Sequence, residues 1–198
     1  MARLMKLTLL PFLSLLSACA IQALEPPAAP AYVSEAPLPE GWPQPGPYDQ
    51  VSAKSYPAYR AAFTNNKWQN LGFWTLFGHI KRNNIPMTSP VEITMDKEGE
   101  EMAMSSMAFL YRNDKVGAVG ADGKKVEVRD VPAAKVLSYT WQGDDTKANV
   151  AKAKTAIKAA LTERKLSSKQ FRLLGYNGPA TPRDKATWEL QAVLDEAD

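Results

Sequence analysis

The chain has 198 residues, a formal net charge of +3, one cysteine and one histidine. A single cysteine excludes a disulfide within the chain, and a zinc or iron site of clustered His and Cys ligands is not expected. The length suits one domain with additional segments.

The N-terminus has the pattern of a bacterial secretory leader. Arg3 and Lys6 precede a ten-residue apolar run, LTLLPFLSLL, which is too short to span a membrane. The run ends in Leu-Ser-Ala-Cys, which is similar to a lipobox. Residues 1–18 are therefore predicted to be a lipoprotein signal peptide, and Cys19 is predicted to carry the lipid. The alternative is ordinary cleavage at the A-x-A-like site 18–20.

Lipid attachment would have consequences for location and charge. Several acyl chains on one cysteine give stable anchoring, because each buried CH₂ contributes about 0.8 kcal/mol. Removal of the leader leaves 22 basic and 21 acidic residues, a net charge of +1, which disfavours nucleic-acid binding. Ala20, rather than an aspartate, follows Cys19. In a Gram-negative cell this predicts an outer-membrane lipoprotein that faces the periplasm.

Residues 19–50 are predicted to form a tether. Eight of the 15 prolines lie between Pro26 and Pro47. Proline-rich segments favour extended conformations and act as semi-rigid spacers of ~3 Å per residue. A recognition peptide is the other interpretation of this composition. The folded domain is expected to run from residue 51 to residue 195.

The domain contains a weak internal repeat. YPAYRAAF (56–63) is similar to VPAAKVLSY (131–139), and a predicted helix follows each copy, over 70–83 and 146–165. The second helix has an apolar stripe at helical spacing. Its members are Val150, Ala153, Ile157, Ala160 and Leu161. Asp144, Asp145 and Thr146 are all candidates to cap the start of this helix.

A proline-bracketed turn and further strands follow each helix. Strands are predicted over 91–95 and 102–112 in the first unit, and over 170–176 and 186–194 in the second. The last of these alternates apolar and polar residues, as in a half-buried strand. The segment VGAVGADGKKVEVRDV (116–131) is predicted to be a hairpin or a connection, with Asp122-Gly123 as its turn. The result is an α+β domain of two pseudo-symmetric β-α-β-β repeats, in which an antiparallel sheet packs with two helices.

The motifs of covalent and acid–base catalysis are missing from the sequence. There is no G-x-S-x-G elbow and no second histidine to activate a nucleophile. Gly117, Gly120 and Gly123 have regular spacing, but Lys124 and Lys125 do not complete a phosphate-binding loop. The protein is therefore not expected to be an enzyme.

The first predicted helix is rich in aromatic residues. Its apolar face consists of Phe73, Leu76, Phe77 and Ile80, and Trp74 and His79 flank this face on either side. Most of these side chains are expected in the core. His79 is the one imidazole that could ligate a haem iron. The alternative is an edge histidine bonded to water or to a neighbouring carbonyl.

Two segments carry a resemblance to a known family. LFGHIKRNNIPMTSPVEI (76–93) resembles the SOUL/haem-binding protein family, in which a helix end is followed by a short loop and Ile-x-Met-Thr-x-Pro-Val. GYNGPATPRDKATWEL (175–190) is similar to the family's Tyr-Asp-Pro-Pro segment and the strand after it. The resemblance covers about 51–195. His79 stands where the family has tyrosine, and Asn177-Gly178 stands where it has Asp-Pro.

The resemblance implies a distorted barrel-like sheet with a shallow hydrophobic cleft for haem b or another tetrapyrrole. It places the cleft beside the first helix and the later loop. The implied cofactor-binding residues are Phe73, Phe77, His79, Tyr176, Pro179 and Arg183, with His79 as a possible axial ligand. Aromatic rings suit a flat macrocycle, and propionates need basic partners. Lys81 and Arg82 are further candidates for that role.

The expected function is that of an envelope-tethered haem or tetrapyrrole-binding protein, acting as a carrier, scavenger or buffer. The alternative is a lipid-anchored binding module for another apolar ligand or for a protein partner, without haem. A hydrolase is a third interpretation, because related two-repeat folds include enzymes.

Overall fold

A computed structural model describes residues 30–64, 69–95 and 104–195. The predicted signal peptide and Cys19 lie outside these ranges. Over the ranges that are described, no helix has the length and apolar character needed to cross a membrane.

In the ranges that the structure describes, nine strands and two helices form the domain. The strands are β1 (Val51–Tyr56), β2 (Tyr59–Thr64), β3 (Val91–Met95), β4 (Met104–Leu110), β5 (Gly120–Asp122), β6 (Val126–Val131), β7 (Ala134–Gln142), β8 (Ser168–Gly175) and β9 (Thr187–Leu194). The helices are α1 (Gln69–Arg82) and α2 (Lys147–Arg164), and a short 3₁₀ turn covers Arg183–Lys185.

The strands form one antiparallel sheet in the order β1-β7-β9-β8-β3-β4-β2-β6-β5. This confirms the predicted α+β class with an antiparallel sheet and two helices. The two β-α-β-β units contribute β3-β4-β2 and β7-β9-β8, which meet where β3 pairs with β8. The pseudo-symmetry of the units remains a prediction.

Local chemistry sets the ends of α2. The Thr146 side chain caps the helix by accepting a hydrogen bond from the Asn149 N–H at 3.2 Å. Lys165 adopts a left-handed conformation, φ 53°, and its N–H bonds back to carbonyls of the last turn. The buried residues of the helix are Val150, Ala153, Ile157 and Ala160. The predicted stripe is therefore confirmed at these four positions.

Both helices cover the same face of the sheet, called here the helix face. Leu76 and Ile80 of α1 and Ile157 of α2 belong to one buried apolar cluster. Phe109 of β4 and Leu190 of β9 are the sheet's contribution to the same cluster. Because side chains alternate along a strand, the neighbours of these sheet residues point to the opposite face.

The opposite face is covered by residues 30–49, called here the strap. Trp42 of the strap is 6% exposed and belongs to a second apolar cluster, against which Tyr32 and Leu38 also pack. This differs from the extended spacer expected from the prolines. Burial of large side chains, at about 25 cal/mol per Å² of apolar surface, favours the packed strap over a solvated one.

Strand β9 is buried on both sides, by the helix-face cluster on one side and beneath the strap on the other. Glu189 and Gln191, predicted to be on the solvent side of a half-buried strand, are 0% exposed. The prediction was wrong because alternation of polar and apolar residues does not reveal a cover that comes from a distant segment. These polar residues face other polar groups beneath the strap instead of water.

Candidate functional site

A groove of about 340 Å³ opens on the helix face, between α1 and the β5–β6 hairpin. Its lining residues come from the middle and end of α1 and from the hairpin. They are Trp74, Thr75, Gly78, Arg82, Asp122, Lys124, Lys125 and Val126. Two chain segments about 45 residues apart therefore form one shallow site.

Trp74 gives the groove an aromatic wall. Its side chain is 65% exposed, an unusual position for so large an apolar ring. It packs edge-on against Phe73 at 5.5 Å and against Phe77 at 5.7 Å, measured between ring centroids. Phe73 and Phe77 lie nearly parallel to each other and are partly buried against the core. A planar ligand could stack on this aromatic cluster at little cost in side-chain entropy.

Gly78 keeps the helix side of the groove open. It lies one turn after Trp74, and a Cβ built there would approach the Arg82 guanidinium at 3.5 Å. Glycine within a helix costs about 1 kcal/mol relative to alanine. A larger side chain at this position would fill space between the aromatic wall and the basic residues.

The groove carries a net positive charge. Arg82, Lys124 and Lys125 line it together with a single carboxylate, Asp122. Lys81 is close by on α1, with its ammonium 5.4 Å from the centroid of the Phe77 ring. Basic groups beside an aromatic wall suit a flat ligand that bears carboxylates. None of the lining residues is a histidine, cysteine, methionine or tyrosine, so the groove fits a porphyrin's plane and propionates but offers none of the usual haem-iron ligands.

His79 lies beneath the groove and is 3% exposed. Its Nδ1 is 2.5 Å from Oδ2 of Asp122, and its Nε2 is 2.7 Å from the hydroxyl of Tyr111. A carboxylate only accepts hydrogen bonds, so Nδ1 donates to Asp122, and Nε2 is bonded to the Tyr111 hydroxyl. Both nitrogens are thus engaged. The predicted axial ligand is not supported, because iron could bind only after one of these bonds breaks.

Asp122 clamps the hairpin to the end of α1. Besides His79, its Oδ2 accepts from Arg82 at 3.0 Å and from Asn83 at 3.3 Å. The hydrogen bonds from His79 and Arg82 lower the pKa of Asp122. Burial, reinforced by the charge of Asp122, raises the pKa of Tyr111 to about 12. The clamp therefore holds together the two walls of the groove.

The sequence-predicted residues of the later loop lie elsewhere. Tyr176 is 1% exposed, belongs to the apolar cluster under the strap, and donates to Glu189 at 3.2 Å. Pro179 is exposed, and the exposed Arg183 pairs with Asp144 at 3.2 Å. The structure thus brings Phe73, Phe77 and His79 together on α1. It places Tyr176 on the opposite face of the sheet. The structure therefore does not form the predicted single cleft between α1 and the later loop.

The Met-Thr-Ser-Pro-Val turn has a structural role. Thr88 donates to the carbonyl of Leu110 at 2.5 Å, and Ser89 donates to the carbonyl of Tyr176 at 2.6 Å. The hydroxyl of Tyr32 in the strap lies 3.3 Å from that of Ser89. The turn therefore ties together the ends of β4 and β8 and the strap. It does not line the groove.

Sequence reasoning missed the hairpin half of the groove. Asp122 was predicted only as a turn residue, and Lys124 and Lys125 only as part of a connection. Their approach to α1 depends on pairing of β6 with β2, which no local pattern specifies. In the described part of the chain, no group of three or more His, Cys, Asp or Glu residues is arranged to hold a metal ion.

The chain belongs to the SOUL family. The family model described as SOUL heme-binding protein matches residues 45–187, which is most of the chain. This confirms the resemblance drawn from the two sequence segments. Membership supports haem or another tetrapyrrole as the ligand. Comparison with curated protein sequences finds no match.

Solved structures share the fold at low sequence identity. The C-terminal domain of EcmrR has a TM-score of 0.55 at 13% identity, over 75% of this chain and 98% of that one. A hydrolase from Listeria innocua has a TM-score of 0.58 at 9% identity, over 76% and 94% of the two chains. An EcmrR–DNA complex gives 0.57 at 13% identity over 75% of this chain, which spans 58% of the EcmrR chain. At these identities the likeness shows the fold alone.

Proposed function

We propose that the protein is a membrane-tethered tetrapyrrole-binding protein that holds haem or a related porphyrin in the groove beside α1. One observation carries the proposal: an exposed tryptophan and three cationic side chains line the same groove. Family membership supports the same ligand class. A carrier, scavenger or buffer role follows from a shallow open site, which permits exchange of the ligand.

The macrocycle would stack on Trp74, and its propionates would pair with Arg82, Lys124 and Lys125. Haem supplies its own iron, but the lining residues contribute no histidine, cysteine, methionine or tyrosine to it. Binding should therefore depend on the ring and its carboxylates. We expect metal-free protoporphyrin IX to bind within roughly threefold of haem, a difference well below 1 kcal/mol.

The test is a titration of the full chain, purified in detergent, with haem and with protoporphyrin IX. Trp74→Ala should weaken both by roughly tenfold, because stacking on an aromatic ring is lost. Lys124→Glu combined with Lys125→Glu should weaken both and should not weaken porphyrin dimethyl ester. Val119→Ala is the matched control, since Val119 is exposed but does not line the groove.

Two outcomes would refute the proposal. One is an absence of saturable binding at micromolar haem. The other is unchanged affinity in both groove variants, which would put the ligand elsewhere on the protein.

The tether is proposed to begin at a lipidated Cys19. Twelve residues separate Cys19 from Tyr32, where strap contacts begin. At ~3 Å per residue this allows a reach of about 40 Å. The groove would thus stay near the periplasmic surface of the outer membrane. Globomycin should block processing, and a Cys19→Ser protein that stays firmly membrane-bound would refute the anchor.

The second candidate is an anchored module for another apolar ligand or for a protein partner. It is favoured by the engagement of both nitrogens of His79, the one histidine of the chain, because no imidazole is then free to ligate haem iron. Native mass spectrometry of protein purified from its own membrane separates the candidates. A co-purifying porphyrin supports the first, and a different bound molecule supports the second.

A further inference from the structure

A buried polar cluster lies under the strap, on the face opposite the groove. Its members are Lys54, Tyr56, Tyr59, Glu92, Arg172, Tyr176, Glu189 and Gln191. The proposed tetrapyrrole site uses none of them. Such a concentration of ionisable side chains in an interior is costly unless every charge is paired.

The first half of the cluster surrounds Glu92. Oε2 of Glu92 accepts from the Tyr59 hydroxyl at 2.6 Å and from Nη1 of Arg172 at 3.2 Å. Nη1 of Arg172 also donates to the Tyr59 hydroxyl at 2.9 Å, and its Nε donates to Gln191 at 2.7 Å. Arg172 is 2% exposed. The Arg172 guanidinium therefore donates to Glu92, Tyr59 and Gln191 at once.

The second half surrounds Glu189. Its carboxylate accepts from Lys54 at 2.9 Å, Tyr56 at 2.8 Å, Tyr176 at 3.2 Å and Gln191 at 2.7 Å. Gln191 bonds to both Arg172 and Glu189, so the two halves form one network. Two cations and two carboxylates leave the network without net charge.

Arg172 remains a cation within this network. Burial acts to lower its pKa, but the charges of Glu92, the tyrosines and Glu189 outweigh burial and raise it. Its guanidinium carbon lies 5.4 Å from the ring centroid of Tyr56 and 5.8 Å from that of Tyr59. A cation lined by aromatic rings forms the floor beneath the strap.

Trp42 of the strap covers this floor. Its indole packs edge-on against Tyr56 at 4.6 Å and against Tyr59 at 5.2 Å between ring centroids. The guanidinium carbon of Arg172 lies 5.9 Å from the indole centroid. The ring thus occupies an aromatic pocket whose walls come from β1, β2 and β8.

Arg172 leaves one donor in this pocket without an acceptor. Nη2 of Arg172 is buried and unpaired, and Nε1 of Trp42 lies beside the Tyr176 hydroxyl without a hydrogen bond of normal geometry. Buried donors are nearly always satisfied in folded proteins, so each such exception calls for an explanation. Each carboxylate of the cluster already accepts from at least two donors. A ligand that pairs with this pocket would therefore have to supply a hydrogen-bond acceptor.

The contacts of the strap allow the Trp42 ring to be replaced by another aromatic ring. It contains Pro37, Pro39, Pro43, Pro45 and Pro47. Prolines lack an N–H group, so the strap bonds to the domain only at isolated backbone positions: Tyr48 forms a single bridge with Thr140, and the Glu40 N–H donates to the Arg112 carbonyl at 2.8 Å. The backbone N–H of Trp42 donates to the carbonyl of Pro39, which is also part of the strap, at 3.1 Å. The indole therefore stays in the pocket by packing, which another aromatic ring could replace.

We propose that the face under the strap is a second binding site, for a small planar aromatic carboxylate, and that Trp42 occupies its aromatic part in the unliganded chain. The ring of the ligand takes the place of the indole between Tyr56 and Tyr59. Its carboxylate accepts from Nη2 of Arg172, the donor that the chain leaves unpaired.

The experiment removes the Trp42 indole from the pocket by mutation and then adds a free indole compound to take its place. Full-length Trp42→Gly is titrated by calorimetry with indole-3-acetate and with tryptamine, which carries an ammonium on the same ring. We expect one molecule of indole-3-acetate per chain, bound at least roughly tenfold more tightly than by the wild type, and a rise in melting temperature on binding. Tryptamine should bind at least roughly tenfold more weakly than indole-3-acetate, because the unpaired group that remains in this variant, Nη2 of Arg172, is a donor.

Trp74→Gly is the matched control. It removes a tryptophan from the other face and should gain no binding of indole-3-acetate. The haem affinity of Trp42→Gly should equal that of the wild type, because Trp42 does not line the groove. A failure of the second site can therefore be told apart from a failure of the proposed function.

The proposal is overturned if folded Trp42→Gly shows no saturable binding of indole-3-acetate, or if tryptamine binds equally well or better. If circular dichroism shows that Trp42→Gly is unfolded, the titration is made with Trp42→Leu. That variant keeps an apolar cover and frees part of the pocket, and a lack of binding to it also overturns the proposal.

Discussion

Replacement of His79 tests whether this residue supports the fold or the iron. In His79→Ala the imidazole disappears from a site that is 3% exposed. The Tyr111 hydroxyl, fully buried, loses its partner, and Asp122 loses one of three donors. The hairpin that forms one wall of the groove is then held less firmly.

The expected loss follows from these contacts. An unpaired buried hydroxyl costs about 1–3 kcal/mol. Asp122 is 36% exposed and keeps Arg82 and Asn83, so its lost bond adds at most about 1 kcal/mol. The cavity adds about 1 kcal/mol, and the higher helix propensity of alanine returns about half of that. The free energy of unfolding should therefore fall by roughly 2–4 kcal/mol.

The assay combines urea denaturation with a haem titration of the same variant. We expect reduced stability and an unchanged position of the Soret band of bound haem. His79→Gln is the control, because its amide offers both a donor and an acceptor and should lose less stability. A shifted Soret band with a stability loss below about 1 kcal/mol would show that His79 ligates iron.

Three further perturbations address the clamp, the buried cluster and the signature turn. The pKa of Asp122 is lowered in the folded state, so its stabilising contribution is present above the ordinary aspartate pKa and is lost as pH falls through the folded value. The difference in unfolding free energy between wild type and Asp122→Asn should therefore shrink between about pH 5 and pH 3. Glu92→Gln should cost roughly 3 kcal/mol in urea denaturation, because it leaves the buried Arg172 guanidinium without its carboxylate. Ser89→Ala should cost about 1 kcal/mol in the same assay, through loss of its hydrogen bond to the Tyr176 carbonyl.

The buried ion pair has a control in the chain, and each of the three perturbations has an outcome that would contradict it. Glu127→Gln removes an exposed carboxylate 3.8 Å from Arg129 and should change stability by less than about 1 kcal/mol. A similar effect for Glu92→Gln would contradict the buried ion pair. An Asp122→Asn difference that stays constant down to pH 3 would contradict the clamp. A Ser89→Ala protein with lost porphyrin binding and full stability would assign the turn to the site.

Local patterns predicted most of the secondary structure. The apolar stripe of α2 follows from helical spacing, and Thr146, one of three predicted cap candidates, is the cap, because both effects act within a few residues. The turn at Asp122-Gly123 likewise depends on its own backbone, and it joins β5 to β6 as predicted. The strand predicted over 91–95 matches β3.

The site was only half predictable. Phe73 and Phe77 were identified as aromatic residues of α1, and α1 does form one wall of the groove. The other wall comes from the hairpin, some 45 residues later, and reaches α1 through strand pairing. Tyr176 was assigned to the same cleft because of the family resemblance. It directly follows Gly175, the last residue of β8, and its side chain lies on the opposite face, which no short motif reveals.

The sequence alone therefore predicted both helices, most of the strands, the lipobox pattern and the family, because each depends on spacing or chemistry over a short stretch. Only the tertiary structure decided what lies under the strap. Glu92, Arg172 and Glu189 sit on three strands, and each appears in sequence as an ordinary charged residue. They share one network because β3, β8 and β9 pair side by side, and because a proline-rich segment that resembles a spacer folds back with Trp42 to cover them.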